Sequence, residues 1–136
     1  MPQPPPLGHV GQFKIGTLNP GAPFLNAVLT VPQNSNSVTG TGLLTQAISP
    51  PLRAETAFHG FVEVLVMGGQ TIQVFTLQGV PFLPIVGPPY VTHLLISLKE
   101  IWGNEGTATY TYVDGSSSAS HEVKNVPVTV KWLLQE

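Results

Sequence analysis

The 136-residue chain contains no cysteine. Disulfide staples and thiolate metal centres are therefore excluded. Charge is also scarce. Asp, Glu, Lys and Arg together make up 9% of the chain, against about 25% in ordinary globular proteins. Residues 15–52 and 64–98 carry no formal charge, and most charged residues lie between Lys99 and Glu136. The five basic residues, Lys14, Arg53, Lys99, Lys124 and Lys131, are scattered. No basic patch is present to draw the chain to nucleic acid or to an anionic membrane. No apolar run approaches the roughly 18 residues of a membrane-spanning helix. The opening MPQPPPLGHVG lacks the basic and apolar regions of a secretory signal. The expectation is a soluble protein, cytoplasmic, exported without a signal, or already relieved of a leader.

What is abundant is Gly and Pro, 14 of each, spread along the whole length. Helix interiors tolerate neither. Short runs rich in Val, Ile, Thr, Tyr and Phe recur between turn signals instead. Candidate strands fall at residues 11–17, 25–31, 37–48, 56–67, 70–78, 91–102, 107–113, 118–124 and 126–134. Gly68-Gly69 and Asp114-Gly115 suit two-residue hairpin turns. Residues 103–106 make a third turn and residues 32–36 a longer one. The segment VPFLPIVGPPY, residues 80–90, reads as a connection, because Pro cannot serve a central strand. Residues 1–8 read as a Pro-rich extended arm and residues 9–136 as a single β domain.

Alternation assigns faces. Val126, Val128, Val130, Trp132 and Leu134 share one, with Trp132 expected in the core. Phe58, Val62, Val64 and Val66 share another, with His59 and Glu63 opposite. Ala108, Tyr110 and Tyr112 oppose three threonines. The predicted fold is all-β, an antiparallel meander closed into a small β-barrel, with a two-sheet β-sandwich as the alternative.

The search for chemistry returns little. His9, His59, His93 and His121 show no metal-ligand spacing, so no metal site is expected. His59 and Glu63 share a strand face but stand about 13 Å apart, too far to share an ion unaided. No pair of carboxylates is singled out by position. No GxSxG elbow or phosphate-cradling loop occurs. No catalytic residue and no cofactor is assigned. Trp102, Tyr110 and Tyr112 form a candidate stacking platform for a sugar or another flat ligand. The plainer reading is a set of cross-strand aromatic contacts.

The stretch TGTGLLTQAISPPL, followed by FHGFVEVLVMG, resembles a small bacterial family classed only as a domain of unknown function. The resemblance covers most of the chain after Gly8. It implies a bacterial source and a compact β fold, and it brings no catalytic residues. The ending VTVKWLLQ is similar to the late strand of avidin-type barrels, although a biotin pocket wants more tryptophans than the two here.

Three functions follow from this reading. The first is a non-catalytic self-assembling or protein-interaction module, with a homo-oligomer expected. The second is a small-ligand or carbohydrate-binding barrel. The third is an enzyme of unknown reaction. Two uncharged segments leave both faces of the residue 56–78 hairpin apolar, which favours the first. The interface is expected around residues 70–90, with Phe75, Leu77, Phe82, Leu83, Ile85 and Tyr90 as its candidates.

Overall fold

A computed structural model describes residues 8–48, 51–82, 88–114 and 119–135. Eight antiparallel strands run in chain order: β1 (His9–Gly16), β2 (Phe24–Val31), β3 (Ser37–Gln46), β4 (Leu52–Met67), β5 (Gln70–Pro81), β6 (Tyr90–Leu98), β7 (Glu105–Val113) and β8 (Ser120–Gln135). Each pairs with its chain neighbour, and β8 returns to pair with β1, closing the barrel. The sandwich alternative is thereby set aside. An eight-stranded barrel has an interior just wide enough for its own side chains to fill.

Period-2 alternation dictates which side chains fill it. Phe13 and Ile15 of β1, Leu25 and Leu29 of β2, and Leu94 and Ile96 of β6 all point inward and are fully buried. Thr39, Thr76, Gln78 and Thr107 point outward and are exposed. A membrane-spanning barrel has the reverse order, apolar outside and polar within. Small inward residues let the wall bend. At Gly60 of β4, a Cβ would lie 1.9 Å from the Thr76 carbonyl oxygen of β5.

Strand boundaries differ from the sequence expectation in several places, among them the start of β4, at Leu52 rather than residue 56. The last two candidate strands are one, because β8 continues through Asn125 in a left-handed conformation (φ 53°). The ladder with β7 shifts register there, and the Asn125 N–H donates to Thr109 Oγ1 at 3.1 Å. Strand β6 stops at Leu98 rather than Trp102. Strand β5 runs on to Pro81, beyond its last pairing with β6 at Gln78, where a missing N–H costs no bond on that side. The Gly68-Gly69 turn is as expected, with both φ angles positive (57° and 80°). The predicted arm falls almost wholly on residues outside the described set, as do Gly115 and the serines at positions 116–118.

Candidate functional site

The barrel's interior holds packed side chains. Tyr110, Phe13 and Phe75 are the largest of those fully buried. The end from which the β4–β5 hairpin extends carries an aromatic plug. His9, on the first residue of β1, is 8% exposed and stacks on Trp102 at 3.6 Å between centroids and 7° between planes. Trp132 meets both rings edge-on, at 5.8 Å from His9 and 5.4 Å from Trp102. Phe13 and Phe75 pack beneath.

Hydrogen bonds fix the plug in place. The Trp132 indole donates to the Gly103 carbonyl at 3.0 Å. The Trp102 backbone N–H donates to the Oε1 of buried Gln73 at 2.8 Å. That bond holds Trp102 in a left-handed conformation, φ 54°. Burial lowers the pKa of His9, since a charged imidazole would lose its hydration there. Trp132, expected in the core, is instead half-buried and packs against the core from the barrel's end.

The predicted platform of Trp102, Tyr110 and Tyr112 is not one surface. Trp102 precedes β7, and Tyr112 lies near that strand's far end, about 20 Å of strand away. Tyr110 and Tyr112 point inward with Ala108 and are buried. Neither offers a face to a ligand. Trp102's partner is His9 instead, a contact between the first strand and the turn before β7 that no local spacing marks.

At the opposite end, the Tyr112 ring stacks on His121 at 5.0 Å, and His121 Nε2 lies 3.4 Å from Asp114 Oδ2. Burial and then the Asp114 charge raise the Tyr112 pKa. Burial, then Tyr112, raises that of Tyr110 further. The Tyr110 hydroxyl has no hydrogen-bond partner among the described residues. Among the described residues no cluster of three His, Asp or Glu side chains converges as metal ligands would. His59 and Glu63 are both exposed on the outer wall, opposite Gln78 and Val74 of β5.

The outer wall has two open clefts of note. One, of about 270 Å³, crosses β1 to β4 and is lined by Gln12, Asn26, Thr41, Glu55 and Phe82. The other, of about 510 Å³, lies between β3 and β5 beside His59, Phe61 and Thr76.

Among the described residues, the largest exposed apolar run lies on the β4–β5 hairpin. Pairing with β3 stops where Ser37 meets Phe61, and pairing with β6 starts only at Gln73. Residues 63–72 therefore extend as a two-stranded ribbon beyond the flanking ladders. On it Val64, Leu65, Val66 and Met67 are consecutive and all exposed, as is Phe61 at its base. Two interface candidates are corrected by this geometry. Phe75 and Leu77 are 0% and 1% exposed, because β5 turns Gln73, Phe75 and Leu77 inward and Thr76 and Gln78 outward. Phe82 is exposed and Tyr90 half-buried, while Leu83 and Ile85 lie outside the described residues.

A family model described as a domain of unknown function (DUF1842) matches residues 9–118, from β1 to the connection before β8. No curated protein matches the chain.

Proposed function

We propose that this chain, which belongs to the DUF1842 family of unknown function, is a non-catalytic assembly module whose copies associate through the β4–β5 hairpin. The observation that carries this reading is the ribbon of residues 63–72, apolar on both faces and open along both edges. Monomers ordinarily blunt such an edge with Lys, Pro, a bulge or a cover. Here the only formal charge on the ribbon is Glu63. A like-with-like interface built on it meets almost no charge repulsion. Phe61, Val64, Leu65, Val66 and Met67 are all exposed, and a second copy laid along the ribbon would remove part of that apolar surface from water. A two-fold arrangement is the commonest way to bury one patch against itself.

Size-exclusion chromatography with light scattering tests the reading. The wild type is expected to run as a dimer at micromolar concentration and the Val64→Lys/Val66→Lys variant as a monomer. A strict wild-type monomer overturns it.

A second reading, carbohydrate binding on the outer wall, is favoured by the cleft across β1 to β4. There amide, hydroxyl and carboxylate groups flank the exposed Phe82 ring. Sugar-induced chemical shifts at Gln12 and Asn26 amides would support it, and their absence across a panel of simple glycosides would remove it.

A further inference from the structure

Resting on the assembly reading above, we infer that the second copy pairs with the free edge of β4, antiparallel, about a two-fold axis at Leu65. The backbone of the ribbon selects both the edge and the register. The Val62 N–H donates to the Asn36 carbonyl at 2.9 Å, on the β3 side. In an antiparallel ladder the N–H and C=O of one residue face the same neighbour, and successive residues alternate. Glu63, Leu65 and Met67 therefore face β5, in keeping with Met67 and Gln70 closing the two-residue turn. Val64 and Val66 direct their N–H and C=O groups the other way. The β3 ladder has already ended there, at Ser37.

The β5 edge is the poorer candidate. Its unpaired stretch is only Gln70, Thr71 and Ile72, two of them polar. The loop of residues 99–104 also folds toward that side, where Gln73 holds the Trp102 N–H.

Four two-fold registers on the β4 edge deserve comparison. With the axis at Leu65, Val64 of one copy exchanges both hydrogen bonds with Val66 of the other, so every free group on these valines is used. With the axis at Glu63, two carboxylates face each other directly, which destabilises a strand pair. With the axis at Val64, one bonded pair needs the Val62 N–H, already given to Asn36. With the axis at Val66, Val64 falls opposite Gly68 in the turn. The Leu65 register also places Glu63 opposite Met67 and brings the two Leu65 side chains together. That central pair is of the non-hydrogen-bonded kind, with Cα atoms about 4.5 Å apart, within the range a disulfide spans.

Because the chain has no cysteine, single introduced cysteines report the register. Oxidised Leu65→Cys is expected to give a covalent dimer on a non-reducing gel, while Thr71→Cys on the β5 edge stays monomeric. Val66→Pro is the companion variant. It removes an N–H that only the second copy uses and leaves the β4–β5 ladder intact, so the barrel is expected to keep its circular dichroism and lose its dimer. Cross-linking at Thr71→Cys but not Leu65→Cys, or a Val66→Pro variant that still dimerises, overturns the inference while the assembly reading stands. A wild type that is monomeric in light scattering overturns both.

Discussion

His9, Trp102 and Trp132 hold the hairpin end of the barrel shut, and the room they occupy is set by a residue with no side chain. A Cβ on Gly11 would lie 2.7 Å from the Trp132 ring. Gly11→Ala is therefore expected to cost roughly 1–3 kcal/mol through overpacking, read as a lower denaturation midpoint. Adding Trp132→Leu should return part of that loss, since the clash goes with the indole. Full additivity of the two losses would mean the rings do not compete for this space. The same plug gives stability a pH dependence. The buried His9 ring stays neutral at pH values where the unfolded chain takes up a proton, near the ordinary 6.5. The unfolded state then binds more protons. The His9 contribution is therefore complete above about pH 6.5 and is lost as pH falls through the lower folded value. Urea midpoints measured from about pH 8 to 5 should fall more steeply in the wild type than in His9→Phe, which keeps a ring on Trp102. Parallel curves would show that His9 is not the group responsible.

At the scale of the element, β8 shows how one residue can hide a strand. Asn125 sits at φ 53°, a region that favours Gly and Asn and penalises β-branched residues. Asn125→Val is expected to cost roughly 1–3 kcal/mol in thermal unfolding and Asn125→Gly close to nothing. Equal effects would mean that the bulge is not held by backbone conformation. This residue is also why the sequence split β8 in two, since polar Lys124-Asn125 reads as a turn. Turns that demand glycine were legible, as Gly68-Gly69 shows. Faces were legible where alternation was clean, as at Val126, Val128 and Val130. They were not legible in β5, where Val74 and Phe75 are both apolar and periodicity alone cannot choose the inner one. The stack of His9 on Trp102 was beyond any local signal, because it joins the first strand to a turn some ninety residues later.

For the whole molecule, closure into a filled barrel explains why the candidate site moved. The all-β meander was legible from composition and turn spacing. The Trp102, Tyr110 and Tyr112 platform was not a site, because closure sends both tyrosines inside. The scarcity of charge in residues 64–98 did mark an unusual surface, but the exposed part lies on the β4 arm of the hairpin rather than on Phe75 and Leu77. Phe82, on the connection at the far end of β5, is expected to be independent of that surface. Phe82→Glu should leave the mass in light scattering unchanged. A monomeric Phe82→Glu would place the interface at the wrong end of the barrel. The claim that the copies meet along the β4 edge is tested most directly by amide hydrogen exchange at Val64 and Val66 as protein concentration is raised. The account predicts fast exchange in dilute solution and growing protection as the mass doubles from 14.5 kDa. Exchange at both valines that stays as fast as at Gly68 while the dimer forms would contradict it.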